Sequence, residues 1–210
     1  MSFIYPSQRT VDLSCGIVRG PLRVYFEGVK KMEVRGRENI PTRGPCMILP
    51  KHQSYADPLI VGLALGGIAN PRYVMRPLGF GLHVPLRLIG GLTFFRPDGI
   101  KRVNRRELLG RNSDLGIFVE DELSGPNGYV VVFPEGTRSP GRMSEFKRRF
   151  FYRGVEVGRR TKRRVAFQPV GIELGERPSI TFGKPLYDEG NVADLVDRCY
   201  DSVRNLSNIK

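Results

Sequence analysis

The sequence has no long apolar run, and this shortage excludes a membrane-spanning protein of the helical kind. A transmembrane helix needs about 20 predominantly apolar residues in succession. The longest apolar stretch here, Pro58–Ala69, is about a dozen residues long and contains glycines. Residues 1–18 also lack the continuous apolar core of a secretory signal. We therefore expect neither a spanning helix nor a signal peptide.

Cysteine and histidine are scarce, which limits the chemistry open to the chain. The three cysteines, Cys15, Cys46 and Cys199, are odd in number and widely spaced. This pattern fits neither a disulfide framework nor a zinc site, and it favours a reducing compartment. No metal-ligand cluster is evident. Because only His52 and His83 carry imidazoles, any imidazole chemistry must use one of them.

Acidic residues are also few relative to basic ones. The chain has 34 Lys and Arg against 21 Asp and Glu, a net charge of +13. We therefore expect anionic partners, such as lipid headgroups, phosphates, acidic proteins or nucleic acid. The hypothesis of a nucleic-acid-binding module rests on this charge alone, because the sequence has no helix-turn-helix, zinc-finger or aromatic RNP-type pattern. Nucleic acid is accordingly the weakest of these partners.

Strand and helix patterns alternate along the 210 residues, a length typical of one domain. Strands are predicted at Met32–Gly36, Cys46–Leu49, Arg72–Met75, Leu92–Phe95, Tyr129–Phe133, Val165–Glu173 and Ser179–Phe182. Helices are predicted from Asp57 to Gly66-Gly67, at Val103–Leu109 and Asp114–Leu123, in a basic segment after the Phe133 loop, and at Val192–Leu206. The alternation predicts a single α/β domain, residues 32–210, with a mostly parallel or mixed sheet flanked by helices.

An amphipathic helical segment, residues 1–31, is predicted to precede this domain. Its apolar residues from Leu13 to Val29 recur at roughly helical spacing with basic residues between them. Gly20-Pro21 is expected to split the segment. Two interpretations remain open: a helix packed on the core, or a basic helix lying in a lipid interface.

His52 is the better imidazole candidate because it directly follows the predicted strand Cys46–Leu49. Ligand sites of open α/β sheets lie at the carboxyl ends of strands. Asp57 follows at the predicted helix start, where a turning loop can bring its carboxylate to the His52 ring and so fix the tautomer of a general base. The simpler interpretation is that Asp57 only caps the helix, since Asp-Pro is a strong helix-start signal.

Two further segments contain residues suited to binding an anion. The first is Phe133 to Ser139, which combines an acid, a glycine, a hydroxyl and Arg138 after a buried strand. A guanidinium matches the oxygens of a phosphate. The second is Gly90 to Arg96, a short apolar strand that ends in an arginine. Taken alone, each of these segments is weak.

Together and in order, His52-Gln53-Ser54-Tyr55-Ala56-Asp57, Gly90 to Arg96, Phe133 to Ser139 and Val165 to Ile172 resemble the four sequence blocks of the glycerophospholipid acyltransferase superfamily. The nearest branch resembles the 1-acyl-glycerol-3-phosphate (lysophosphatidate) acyltransferases. The resemblance implies that His52 is the general base and that Asp57 orients it. It assigns the acceptor phosphate to Arg96, Glu135, Gly136, Thr137 and Arg138, and the acyl-donor side to Pro169.

The resemblance also implies partners and a location. The acyl donor would be acyl-CoA or acyl-acyl carrier protein, the acceptor a lysophospholipid, and no tightly bound cofactor or metal is implied. Glycerol-3-phosphate or another lysolipid remains an alternative acceptor, because the sequence departs from the family pattern at several positions, including Lys51 where asparagine is common. Basic clusters such as Lys147-Arg148-Arg149 lie beside aromatic residues, which predicts peripheral binding to an anionic membrane on its cytoplasmic face.

Overall fold

A computed structural model describes residues 7–66, 68–75, 91–93, 116–125 and 128–209. Within these ranges, seven strands form one sheet in the order β1-β7-β6-β2-β5-β3-β4. The strands are β1 Glu33–Arg35, β2 Cys46–Pro50, β3 Arg72–Met75, β4 Gly91–Thr93, β5 Tyr129–Val132, β6 Ala166–Glu173 and β7 Ser179–Phe182. Each strand predicted from the sequence is therefore present among the described residues.

The sheet is mixed, as predicted. Strands β2, β3, β4, β5 and β6 run parallel to one another. Strand β7 turns back antiparallel on β6, and β1 lies parallel to β7 at the edge. Parallel strands need crossover connections, and the described helices lie in the segments between β2 and β3, between β4 and β5, and between β5 and β6.

The helices are α1 Gln8–Arg23, α2 Asp57–Ala64, α3 at residues 116–124, α4 Arg148–Thr161 and α5 Val192–Leu206. A π-helical turn, Val24–Val29, continues α1, and a short 3-10 helix spans Arg37–Asn39. Helix α5 has the predicted bounds, and Asn191 caps it by accepting from the backbone N–H groups of Ala193 and Asp194.

The core lies in two layers, one on each face of the sheet, because alternate residues of a strand point to opposite faces. In β2, Met47 and Leu49 pack against α3, α4 and α5. Cys46 and Ile48 pack on the other face, against α2 and the π-helical turn. All five residues of β2 are buried, as expected for a parallel strand covered on both faces.

The predicted break at Gly20-Pro21 is wrong, because α1 continues through Pro21 to Arg23. A proline inside a helix removes the hydrogen bond to the carbonyl four residues earlier. That carbonyl belongs to Ile17, a residue that is 71% exposed, so water can solvate this side of the helix.

Several predictions fall on residues outside the described ranges. These are the end of the predicted second helix at Gly67, the end of the strand predicted at Leu92–Phe95, the helix Val103–Leu109 and the start of the helix predicted at Asp114–Leu123. Among the described residues, no helix is long and apolar enough to cross a membrane. All three cysteines are buried and free.

Candidate active site

The candidate site forms where the carboxyl ends of β2 and β5 lie side by side. The two strands are parallel neighbours, with Ile48 paired to Val131, so the loops that follow them leave the same edge of the sheet. One loop carries His52 and the other carries Glu135 to Ser139. Two of the sequence blocks are thus brought together by strand pairing alone.

His52 and Asp57 contact each other as the sequence suggested. The distance from His52 Nδ1 to Asp57 Oδ2 is 2.8 Å. The same carboxylate oxygen accepts from the backbone N–H groups of Gln53, at 2.6 Å, and Ser54, at 2.7 Å. Because its neighbours are all donors, the carboxylate acts as an acceptor, and Nδ1 donates to it. The other ring nitrogen, Nε2, is then left to accept a proton.

The prediction that Asp57 is the N-cap of α2 is wrong. Asp57 is the first residue of the helix, the cap position belongs to Ala56, and no side chain caps the helix. The Asp57 side chain points back into the preceding loop, where the Ser54 hydroxyl also donates to its Oδ1 at 3.0 Å. The loop thus holds the buried carboxylate by three donors, and the same carboxylate contacts the His52 ring.

The His52 side chain is partly open to solvent, with an exposed fraction of 19%, whereas Asp57 is fully buried. The ring also packs on Phe133, with ring centroids 4.2 Å apart. Phe133 follows β5 directly. The imidazole is therefore fixed by a hydrogen bond on one nitrogen and by an aromatic neighbour, and it still has an accessible edge.

Glu135 is buried, with an exposed fraction of 1%. Its carboxylate contacts Lys51 Nζ at 2.7 Å, and it accepts from the backbone N–H groups of His52, at 3.2 Å, and Ser144, at 2.9 Å. The resemblance assigned Glu135 to the acceptor phosphate. In the structure its oxygens are occupied by donors of the protein, so direct contact with a substrate would require these bonds to break.

Gly136, Thr137 and Arg138 form the outward side of the same loop. Gly136 has φ = +65°, a left-handed conformation that favours glycine. Thr137 and Arg138 are exposed. The Arg138 guanidinium lies over the ring of Tyr55, with Cζ 3.3 Å from the ring centroid. This side of the loop therefore offers a hydroxyl and a guanidinium next to the His52 loop.

The remaining predicted residues lie further away or outside the described ranges. Pro169 is buried within β6, opposite Leu49 of β2. It is therefore on the strand next to the His52 loop, and its part in binding the acyl donor stays a prediction. Arg96 and His83 lie outside the described residues.

Lys51 and Ser54 are among the residues of the site to which the sequence assigned no role. Lys51 was noted only as a departure from the family pattern, yet it is fully buried beside Glu135. Ser54 was unremarked, although it bonds Asp57 through both its backbone and its hydroxyl. The sequence does contain a signal for Lys51, because it directly follows a wholly apolar strand. A lysine that is buried with such a strand almost always has a charged partner.

The site contains no cysteine, and the cysteines elsewhere are poor nucleophiles. Burial raises the pKa of the Cys46 thiol, and it raises that of Cys199 to about 12. Among the described residues, no group of three or more His, Cys, Asp or Glu side chains is placed to hold a metal ion. The described residues of the site thus place an imidazole that can accept a proton next to donors suited to an anion.

Comparison with known proteins agrees with this geometry. The family model described as Acyltransferase matches residues 31–173. A 1-acyl-sn-glycerol-3-phosphate acyltransferase of Pseudomonas aeruginosa is 36% identical over 121 residues, which are 56% of this chain and 42% of that protein. This chain thus matches less than half the length of that curated relative.

A solved structure shows the same fold. The crystal structure of the 1-acyl-sn-glycerophosphate (LPA) acyltransferase from Thermotoga maritima superposes with a TM-score of 0.60 at 19% sequence identity. The match covers 95% of this chain and 86% of that one. The family match spans both loops of the candidate site, from β1 through β6. The chain therefore belongs to the acyltransferase family.

Proposed function

We propose that this protein transfers a fatty acyl group from a thioester to the free hydroxyl of 1-acyl-glycerol-3-phosphate and so forms phosphatidate. The observation that supports this most is the His52–Asp57 pair at 2.8 Å, held beside a loop that exposes Thr137 and Arg138. A general base and an anion-binding loop at one edge of the sheet suit an acceptor that carries both a hydroxyl and a phosphate. The names of the two similar proteins favour the same acceptor.

The proposed reaction needs no covalent enzyme intermediate. His52 Nε2 takes the proton of the acceptor hydroxyl as its oxygen attacks the thioester carbonyl carbon. The carbon–sulfur bond then breaks, the new oxygen ester remains on the glycerol, and the imidazolium returns its proton to the departing thiolate. Asp57 stabilises the imidazolium between these two transfers.

The acceptor phosphate is assigned to the exposed side of the loop after β5. The Arg138 guanidinium can offer paired N–H donors to phosphate oxygens, and its stacking on Tyr55 limits its motion. Thr137 adds a hydroxyl. Glycerol-3-phosphate carries the same phosphate monoester as lysophosphatidate, whereas some other lysolipids lack it. If Arg138 binds this phosphate, acceptors that carry it should be preferred over those that lack it. The choice of acceptor therefore tests the phosphate assignment as well as the substrate.

The test is a product assay with a matched pair of histidine variants. Purified protein is incubated with lysophosphatidate and either palmitoyl-CoA or palmitoyl-acyl carrier protein, and phosphatidate is measured by mass spectrometry. We expect product from the parent and from His83→Ala, and none from a folded His52→Ala. Turnover by His52→Ala would remove the general-base role. If product forms only with glycerol-3-phosphate or with another lysolipid, that compound and not lysophosphatidate is the acceptor.

We also propose that α1 and the π-helical turn lie on an anionic membrane. Nine large apolar side chains are more than about a third exposed among the described residues, and five of them lie here. They are Leu13, Ile17, Val24, Tyr25 and Val29. The helix packs on the domain through Val11 and Phe26, which are buried, so the exposed residues form a second apolar face.

Exposed basic residues, Arg9, Arg23 and Lys31, accompany this apolar face. A cluster of exposed apolar residues marks a binding surface, and basic neighbours suit an anionic leaflet. The acceptor is itself a membrane lipid, so the proposed reaction needs such a surface. This favours a peripheral enzyme on the cytoplasmic face.

Vesicle co-sedimentation tests this proposal. The triple variant Leu13→Gln, Ile17→Gln, Val24→Gln should bind vesicles containing phosphatidylglycerol much less than the parent does. Leu174→Gln, which changes an apolar residue 44% exposed elsewhere on the surface, is the control and should bind normally. Equal binding by all three proteins would refute the interfacial role of α1.

A further inference from the structure

Lys51 is a fully buried cation that the proposed reaction does not use. Its ammonium contacts both oxygens of Glu135, at 2.7 and 3.0 Å, and the backbone carbonyl of Ser139 at 2.8 Å. Glu135 begins the loop that holds Gly136, Thr137 and Arg138, and Ser139 ends it. One ammonium therefore ties together the two ends of the loop to which the acceptor phosphate is assigned.

The same group of contacts holds the backbone of the proposed base. The His52 N–H donates to Glu135 Oε1 at 3.2 Å, and the His52 carbonyl accepts from the Ser139 N–H at 2.9 Å. Both backbone groups of His52 are thus bound to the two ends of the loop. The Lys51–Glu135 pair lies at the centre of this arrangement, between two segments that are 84 residues apart in sequence.

Stability alone is a weak reason for a buried pair of this kind. Removing two charges from water is costly, and an apolar pair of similar volume is often equally stable or more so. A pair that instead fixes the relative position of two loops has a reason to be buried, because only a buried ammonium can bind both loop ends without competition from water.

We infer that Lys51 and Glu135 are positioning residues, which set the place of the His52 base relative to the acceptor-phosphate loop. This inference rests on the proposed function for its catalytic consequence. The placement itself is a property of the folded chain and can be measured without substrate. The partners of the two side chains are each other and groups of the protein at His52, Ser139 and Ser144.

The test uses the double variant Lys51→Met, Glu135→Gln, which removes both charges together and so avoids leaving one of them buried without its partner. Methionine nearly matches lysine in length and glutamine keeps the shape of glutamate, so we expect the variant to fold. Glutamine has only one acceptor oxygen, so the N–H groups of His52 and Ser144 can no longer both be satisfied. Its kcat/KM for lysophosphatidate should fall about 100-fold, since small misplacements of reacting groups have effects of that order.

Amide hydrogen exchange measures how firmly the two loops are held, and it does not depend on activity. In the double variant the amides of His52, Ser139 and Ser144 should exchange faster than in the parent. The amides of Gln53 and Ser54 should stay protected, because they donate to Asp57 at 2.6 and 2.7 Å and do not depend on the pair. These two amides are an internal control for general unfolding.

The control variant is Arg72→Met, Glu122→Gln. Arg72 is also a buried cation, 3% exposed, and its Nε lies 3.5 Å from Glu122 Oε2. It begins β3 at the amino end of the parallel strands, the edge opposite to His52. We expect normal kcat/KM from a folded control.

The outcomes separate the two proposals. Faster exchange at His52, Ser139 and Ser144 with unchanged kcat/KM would overturn the positioning inference, as would unchanged exchange at all three amides. An equal loss of activity in the control would also overturn it, because the effect would then follow from losing any buried cation pair. A parent inactive toward every acceptor tested, with the exchange pattern as expected, would refute the proposed function and leave the arrangement of the loops standing.

Discussion

Replacing Asp57 with asparagine tests how much the proposed base depends on a negative charge. The N–H groups of Gln53 and Ser54 and the His52 ring all lie against Oδ2, and only the Ser54 hydroxyl lies against Oδ1. An asparagine can place its amide oxygen at the Oδ2 position, and the hydroxyl can turn to accept from the amide NH₂. The substitution therefore removes the charge and leaves the hydrogen bonds in place.

The magnitude follows from the distance between the groups. The charge centres of an imidazolium and a carboxylate in hydrogen-bond contact are about 4 Å apart, and such a pair near a protein surface interacts by about 4 kcal/mol. The imidazolium exists only after proton transfer, so the interaction is lost in the transition state and not in the ground state. A loss of about 4 kcal/mol lowers kcat about 1000-fold.

The assay is release of CoA thiol from palmitoyl-CoA in the presence of lysophosphatidate, with the thermal midpoint measured in parallel. Asp201→Asn, which changes an exposed aspartate of α5, is the matched control and should have normal kcat. A folded Asp57→Asn protein that keeps more than about a tenth of the parent kcat would refute the reasoning, since a lost charge interaction of this size has a far larger effect.

Three other predictions concern separate parts of the chain. Arg138→Ala should raise the KM for lysophosphatidate and leave the KM for the acyl donor unchanged; an effect on the donor alone would contradict the phosphate assignment. Gly154→Ala should destabilise the protein, because the new Cβ would lie 2.8 Å from Phe167 Cζ. The expected loss in urea unfolding is about 1–3 kcal/mol, the usual range for overpacking. An unchanged unfolding midpoint would show that α4 can shift away from β6. Iodoacetamide at pH 8.5 should leave the folded enzyme active and label Cys46 and Cys199 only after unfolding. Burial raises the pKa of both thiols, and only the thiolate reacts. Rapid labelling of these cysteines in the folded protein would show that the core around them opens.

Local sequence patterns predicted most of the described elements because each depends on neighbours in the chain. The run Tyr129–Phe133 is rich in β-branched residues and forms a strand buried on both faces. The helix Val192–Leu206 has a clear apolar face and a capping Asn191. The helix start at Asp57 was also located correctly, although the role of the side chain was wrong, because an Asp-Pro signal does not show whether the carboxylate points forward to the helix or back to the loop.

Strand order could not be predicted in the same way. The sequence places β1 next to β2, but in the sheet β1 pairs with β7 and β2 lies between β5 and β6. Strand patterns report only which residues are buried. The pairing depends on which surfaces fit once the helices are in place, and those surfaces are distant in sequence.

The sequence by itself determined that this chain is an α/β domain with His52 and Asp57 at the carboxyl end of a buried strand, because the signals for both are local. Only the tertiary structure decided what surrounds them. Lys51 and Glu135 pair across 84 residues, and Arg138 stacks on Tyr55, since parallel pairing of β2 and β5 brings their loops to one edge. A side chain in a sequence shows its charge, but its partner is set by the strands that bring distant residues together.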